Sequence, residues 1–533
     1  MLGTFRQAVI GDEYIFLSII YRVANGEPLG VLQTAYAHLF AWLPSVGHNE
    51  ISQTTLGRLV YVVLWAGSLA LLYRLGRKLL DPVGALASVV LFAVFSYSIG
   101  NAASFRIDGL LLPIILGVVM LLLNPTTGRV AAAGALSGVA VALTIKAVLW
   151  APAFVSLLAV GLWHSQNRLR PILAGAVAGA VTLAAIMLIH ARLISMAPSD
   201  LPETVGQGSA DAGRYMLFNG FVPQWEALRD AVLANPATCI LLIIGIGLAV
   251  VGLRKPESRR VSLILLLLAM PILSVTFYTN AFAYAYLVLM PTACLLAGHA
   301  FSKFAGSGER LGRLAALLFS GVAAVPMFHV ALEYRYDAQK QQRQVVTAVH
   351  QLFSEPVPHI DGGGMVASFP RLGMNMTWFG LDSYRRIGSP AVPDYIHREK
   401  PPLLIVNTKA LQVWNRDELD SPELRLLPQD EEAIRATYAH YWDQIWLAGR
   451  QWRDLAAGET RPFDIVVPGA HTLIAAGSVV VDGKTYQPWT TIRLDEGPHE
   501  LQTTSAEPDL RILWGTRLER LEDLPPSLAG AEQ

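Results

Sequence analysis

Apolar runs separated by short charged breaks fill roughly the first 333 residues; beyond them the chain turns to short mixed runs punctuated by glycine and proline. The apolar runs fall at about 59–73, 82–100, 109–123, 130–146, 148–162, 171–190, 236–253, 261–277, 284–300 and 314–332. A helix needs about 20 apolar residues to cross a bilayer, so the pattern predicts about ten spans, several of them short or closely coupled.

The charged breaks orient these spans. Arg74, Arg77 and Lys78 lie in one break, and Arg129 lies in the next on that side. Arg168 and Arg170, then Arg254, Lys255, Arg259 and Arg260, then Lys303, Arg310 and Arg313 follow. All five breaks share one side by parity, and the positive-inside rule makes that side cytoplasmic. The opposite side then holds residues 1–57, the turn at 101–108, a turn near Lys146, the loop 193–235, the turn near 278–283 and everything from about 334 onward. The loop 193–235 mixes Pro198, Pro202, Gly206, Gly208, Gly213 and Gly220 with Tyr215, Phe218, Phe221 and Trp225. It fits a lid on the membrane surface and an interfacial anchor equally well.

The tail divides in two. An amphipathic helix is predicted over 337–353, buried strands at Gly364–Phe369 and Leu403–Val406, and a helix over 430–448. After Pro462, alternating runs at 463–467, 472–475, 478–481, 491–494, 499–503 and 510–514 predict a small β-sandwich, with Asp482-Gly483 as a hairpin turn. The expected organisation is therefore a polytopic α-helical membrane domain over 1–333, an extracytoplasmic α/β segment over 334–460 and a β-sandwich over 461–533. The tail would face the periplasm or the cell exterior of a bacterial inner or plasma membrane.

Composition agrees with that class. The chain has 533 residues, 53% hydrophobic and 15% charged, with a mean hydropathy of +0.41. The 41 basic and 41 acidic residues balance, so no global field points to nucleic acid. Cys239 and Cys294 both sit in apolar runs and read as packing residues; the tail has no cysteine and uses no disulfide.

Chemistry-bearing residues gather on the non-cytoplasmic side. Gly11-Asp12-Glu13-Tyr14 stands in the first outer loop. Leu56-Gly57-Arg58-Leu59 opens a span, which Tyr73-Arg74-Leu75-Gly76-Arg77-Lys78 closes. Arg106-Ile107-Asp108 follows in the second outer turn, then Gly138–Lys146, then Tyr284–Pro291 in a late span. In order and placement these motifs resemble the GT-C glycosyltransferases, in particular the protein O-mannosyltransferase and aminoarabinose-transferase branch (families 39 and 83), over roughly residues 1–333. The resemblance implies transfer of a sugar from a polyprenyl-phosphate carrier to an extracytoplasmic acceptor, with inversion at the anomeric carbon. It carries the essential first-loop acid to Asp12 with Glu13 beside it, the second-loop acid to Asp108 and the lysine to Lys146.

Residue chemistry suits those roles. Asp12 is placed to take a proton from an acceptor hydroxyl, with Glu13 and Asp108 completing the acidic set. Glu13 and Asp108 are oxygen donors suited to a divalent cation such as Mg or Mn. Lys146, Arg58 and Arg106 are cations for the donor phosphate. The two acidic clusters are expected to converge at the outer mouth of the bundle. Plainer roles stand beside each of these. Asp12-Glu13 also fits a solvated pair, Asp108 a helix cap, Lys146 a snorkelling lysine, Arg106 an ion-pair partner and Arg58 a span boundary. His38 reads as a lone histidine, and His190, His299 and His329 as interfacial. The family places a span ahead of the acidic pair. Asp12 is too close to Met1 for one, so an upstream start restoring an eleventh span is expected. The other functional classes are a non-catalytic scaffold in cell-envelope assembly and a transporter, the latter disfavoured by the absence of repeated halves with broken helices.

Overall fold

The computed structural model describes residues 2–516 and 518, apart from 28, 164, 197–209, 211, 212, 219, 307–320, 322, 323, 329, 330, 333–335 and 415–423. Two compact units emerge, each with its own core. The first comprises residues 1–7, 22–46 and 55–337; the second comprises 8–21, 47–54 and 338–533. The second unit thus takes in the acidic pair near the N-terminus as well as the tail.

The first unit is a helical bundle. Every apolar run from 59–73 to 284–300 falls on helix, whereas 314–332, with Arg310, Arg313 and His329, lies largely or wholly outside the described residues. Among the described residues three helices are long and apolar enough to cross a membrane: Glu50–Leu79, Leu169–Leu193 and Pro256–Thr276. Two bent pairs raise that to five if each is one span: Trp225–Ala234 with Pro236–Gly252, bent by 95°, and Ala283–Leu289 with Cys294–Ala305, bent by 66°. Pro82–Val94, Ile107–Leu122, Thr127–Leu143 and Ile145–Gly161 are shorter apolar helices. The runs look longer in sequence because apolar residues continue through breaks where the backbone turns. Pro82, Pro236 and Pro256 each stand at a helix start, where a missing N–H costs nothing. Asp81 caps the first of these by accepting from Gly84 N at 2.8 Å.

Small residues let two helices of this unit approach closely. Gly134 and Gly138 of Thr127–Leu143 face Gly175 and Gly179 of Leu169–Leu193; a Cβ on Gly134 would come within 2.0 Å of the Gly175 carbonyl oxygen. This is small-xxx-small packing, which replaces hydrophobic burial as the driving force between helices in lipid. Around it Leu75, Phe92, Leu116, Trp150, Leu265 and Leu295 form a buried core.

In the second unit, Val9, Tyr14 and Ile51 pack into one core with Val345, Val349, Met365 and Leu447. Helix Gln339–Leu352 presents the apolar face of the predicted 337–353 element. Its His350 Nε2 lies 3.0 Å from Glu50 Oε2, while Ser368 N donates to Glu50 Oε1 at 3.1 Å. Two sheets follow. The larger joins β1 (His359–Ile360), β2 (Leu403–Ile405), β4 (Ile445–Leu455), β11 (Glu507–Trp514), β6 (Gly469–Ile474) and β9 (Thr491–Leu494) in that order, with β3 (Tyr438–Trp442) pairing to β4. β1 and β2 are parallel. The smaller orders β5 (Thr460–Ile465), β10 (Gly497–Thr503), β7 (Val479–Val481) and β8 (Lys484–Tyr486). Leu455, Phe463, Leu473, Val481, Leu501 and Ile512 from both sheets share one core. The expected Asp482-Gly483 hairpin joins β7 to β8, both residues at positive φ (50° and 76°) as a two-residue turn of the primed kind needs.

Two expected elements differ. Gly364–Phe369 is a turn rather than a strand, because Asp361 collects the Gly364 and Met365 amides and bends the chain back. A short buried apolar run carries no periodicity to separate these outcomes. The predicted helix over 430–448 ends at Thr437, and β3 and β4 follow. Tyr438, Tyr441, Trp442, Ile445 and Trp446 are aromatic and β-branched residues, which suit a half-buried sheet.

Candidate functional site

Three of the predicted residues meet in the first unit. Arg106, in extended conformation, is the N-cap residue of helix Ile107–Leu122, and its side chain makes no capping bond. Asp108 lies in the first turn with only 2% of its side chain exposed. Its carboxylate reaches out of the helix: Lys146 Nζ donates to Oδ1 at 2.6 Å, and Arg106 Nε stands 3.7 Å from Oδ2. Capping is therefore not what occupies Asp108. The helix N-terminus still favours its negative charge.

Packing fixes this turn. A Cβ on Gly109 would fall 2.3 Å from Tyr61 Cδ1, so the absent side chain lets the Tyr61 ring lie against the backbone beside Asp108. Phe105 contacts Tyr61 edge-on, with ring centroids 5.5 Å apart, and meets Phe40 in the same way at 5.0 Å.

Lys146 is delivered by a break in the helix. Thr127–Leu143 stops at Thr144, which turns extended; its hydroxyl accepts from Lys146 N at 3.3 Å and starts the 3₁₀ turn Ile145–Trp150. Thr144 Oγ1 also donates to Gln33 Oε1 at 3.3 Å. The lysine is thus part of a built turn and not a snorkelling span end.

A fourth member was not predicted as a site residue. The Tyr284 ring lies under both cations, 3.5 Å from Arg106 Cζ and 4.4 Å from Lys146 Nζ. An aromatic face attracts cations without neutralising them. Tyr278 is also close enough to feel Asp108 and Arg106, and burial pushes its phenol well above the usual range, so it stays protonated. The sequence signal for Tyr284 is the Tyr-Ala-Tyr run at 284–286; Tyr278 has none. Taken together the cluster has two cations, one carboxylate and an aromatic floor. Two cations held side by side are donors suited to an anion such as a phosphate.

The remaining predicted residues have the following surroundings within their own units. Arg58 is buried in the first unit, and its Nη1 donates to the carbonyls of Gln7 at 2.8 Å and Thr4 at 3.4 Å. Asp12 and Glu13 belong to the second unit, on the first turn of helix Gly11–Ala24. Asp12 is half-exposed. Glu13 is buried, and its Oε2 accepts from Ile10 N at 3.2 Å, the backward reach of a capping box. His38 is not alone: its Nε2 lies 2.8 Å from His190 Nδ1, and His190 Nε2 lies 2.8 Å from Thr34 Oγ1.

The surroundings of Asp108 do not fit a divalent cation. Oδ1 carries an ammonium and a guanidinium lies against Oδ2. Among the described residues no three His, Cys, Asp or Glu side chains gather as a ligand set. Oδ2 accepts no hydrogen bond among the described residues, but one carboxylate oxygen flanked by two cations is a poor start for a metal shell.

No protein-family model and no curated protein matches the sequence. Solved structures do. ArnT from Cupriavidus metallidurans bound to undecaprenyl phosphate aligns over 80% of this chain and 94% of its own, at 14% identity and a TM-score of 0.53. The Archaeoglobus fulgidus oligosaccharyltransferase tethered with an acceptor peptide containing the NVT sequon aligns over 95% of this chain and 92% of its own, at 10% identity and a TM-score of 0.52. The same oligosaccharyltransferase in complex with Zn and sulfate aligns over 93% and 91%, at 11% identity and a TM-score of 0.51.

Proposed function

We propose, starting from the GT-C glycosyltransferase fold that this chain has, that it moves a sugar from a polyprenyl-phosphate carrier to an acceptor outside the cytoplasm. The observation that carries this reading is the convergence of Arg106 and Lys146 on the Tyr284 ring beside buried Asp108.

In such a transfer the bond between the anomeric carbon and the phosphate oxygen breaks, and the lipid phosphate gains charge as it leaves. Lys146 supplies a point charge and Arg106 a planar fork to that phosphate, fixed in place before the charge develops. Asp108 holds Lys146 through the 2.6 Å bond and keeps both cations aligned. Tyr284 supports them from below and competes for no hydrogen bond of the phosphate. Asp12 takes the proton from the acceptor hydroxyl as that oxygen attacks, with inversion, as the family resemblance implies. Glu13 keeps the turn that bears Asp12 wound through its bond to Ile10 N. Arg58 falls outside the donor set in this scheme, since its guanidinium ties down the chain at Thr4 and Gln7. The protein is embedded in a membrane with its strand-rich tail on the acceptor side.

The test is transfer of a radiolabelled pentose or hexose from its polyprenyl-phosphate carrier in purified membranes. Wild-type protein is expected to transfer; Asp12→Asn is expected to lose at least about 100-fold, as removal of a positioned acid–base group does, and Asp108→Asn about 100-fold, as misplacement of the cations that it aligns does. Retained transfer in both variants would contradict the site assignment.

A further inference from the structure

The second unit contains a buried turn that no role above accounts for. Asp361 is completely buried and accepts from Gly364 N at 2.8 Å and Met365 N at 2.5 Å. His359, also fully buried, has Nδ1 2.9 Å from the Pro370 carbonyl, so that nitrogen is the donor; its Nε2 faces Asp361 at 3.6 Å. Burial works against ionisation of Asp361, but His359 and the backbone amides bring its carboxyl down to about 2. A buried, charged carboxylate bound to amides of its own turn makes that turn rigid.

Two glycines of this turn lie beside the helix that carries Asp12 and Glu13, close enough that a side chain on either would touch it. A Cβ on Gly363 would lie 3.5 Å from the Gly11 carbonyl oxygen and 3.9 Å from Ile15 Cγ1. Gly364 sits at φ +88°, and a Cβ there would stand 3.0 Å from Ser18 Cβ. The turn therefore runs along the helix from Gly11 to Ser18, and Val9, just before that stretch, and Tyr14, within it, enter the same core as Met365.

We infer that the Asp361–Gly364 turn positions the Asp12-bearing helix for transfer, with Asp361 as a positioning residue and Gly363 as the contact surface. On the reading above, the tail is then part of the catalytic apparatus, because it holds the base-bearing helix in register. A shift of about 1 Å in a catalytic group is enough to cost about 100-fold in rate. Gly363→Ala fits, because its Cβ makes ordinary contact. Gly363→Val places branches against Gly11 and Ile15 and moves the helix.

The experiment uses the full chain in nanodiscs with Gly363→Ala, Gly363→Val, Asp361→Asn and Asp12→Asn. Three readouts are taken: hydrogen exchange at residues 11–18, kcat for sugar transfer, and the Kd for undecaprenyl phosphate as donor-lipid probe. Gly363→Val and Asp361→Asn are expected to speed exchange at 11–18 and lower kcat by about 100-fold, with Kd within twofold of wild type. Gly363→Ala is expected to match wild type in all three. Wild-type exchange at 11–18 in both Gly363→Val and Asp361→Asn overturns the inference. So does faster exchange with undiminished kcat, or a loss of lipid binding as large as the loss of rate. Undiminished transfer by Asp12→Asn strikes the functional reading instead, while the exchange data still decide whether the turn holds the helix.

Discussion

Lys146 and Asp108 stand 38 positions apart in the chain, and the ammonium of one donates to the carboxylate of the other at 2.6 Å. The lysine comes from a helix break at Thr144 and the aspartate from a helix start at Arg106, so two irregular points of the bundle meet. An ion pair this buried is a weak source of stability, because desolvation offsets most of the attraction. Its value lies in fixing where the charges point.

Tyr284 should matter through its ring. Tyr284→Leu removes the face under both cations and is expected to weaken binding of undecaprenyl phosphate by about 5- to 30-fold, the equivalent of about 1–2 kcal/mol of cation–π support. Tyr284→Phe keeps the face and is expected to bind within twofold of wild type. Equilibrium binding of the fluorescent lipid to both variants checks this.

Gly109→Ala is expected to be costly although alanine is the better helix former. Its Cβ would meet Tyr61 Cδ1 at 2.3 Å, and overpacking of this kind costs about 1–3 kcal/mol. The Tm should fall, and the double variant Gly109→Ala/Tyr61→Leu should recover part of the loss, since neighbours in contact are not additive. Additive losses in the thermal melts would show that the two residues do not press on each other.

Arg58→Met separates tying from phosphate binding. It leaves the Thr4 and Gln7 carbonyls without their donor. Stability is expected to fall by about 1–3 kcal/mol, the cost of a buried unsatisfied polar group. The Kd for undecaprenyl phosphate is expected to stay within threefold. A tenfold loss of affinity with unchanged Tm would return Arg58 to the donor site.

The Glu50–His350 contact predicts a pH dependence. The hydrogen bond to Glu50 raises the His350 imidazole above its usual 6.5, against the opposing effect of burial. A raised folded-state value means that the contact stabilises fully below about pH 6.5 and fades as pH climbs through the folded-state value. Thermal unfolding followed from pH 6 to 8.5 should show a decline in wild type that is flatter in His350→Gln. Equal slopes would remove the histidine from the account.

Much of this was legible in the chain, for identifiable reasons. Arg106, Asp108 and Lys146 could be grouped because charge alternation assigned their turns to one side, and ionisable groups near apolar spans rarely lack a purpose. The sites of β5 to β7 and β9 to β11 could be read from period-two runs, and the turn after β7 from Asp482-Gly483. Tyr284 was not legible as a partner, because an aromatic residue in an apolar run looks like core until the cations are seen over its face. Arg58 looked like a phosphate ligand because sequence shows a charge but not the carbonyls it meets. The turn at 361–364 was hidden for a related reason: its carboxylate is satisfied by backbone amides, which every residue carries. The bond from Ile10 N to Glu13 is of the same kind, since a carboxylate that turns back to its own backbone reads in sequence like one free to bind a cation.

If Lys146 and Arg106 hold a lipid-linked phosphate, as proposed, the Kd for undecaprenyl phosphate must differ between wild type, Lys146→Met and Arg106→Gln. Each substitution is expected to weaken binding by about tenfold or more, as loss of a charge-assisted hydrogen bond does, with the melting profile of the tail unchanged. Wild-type affinity in both variants would contradict the account.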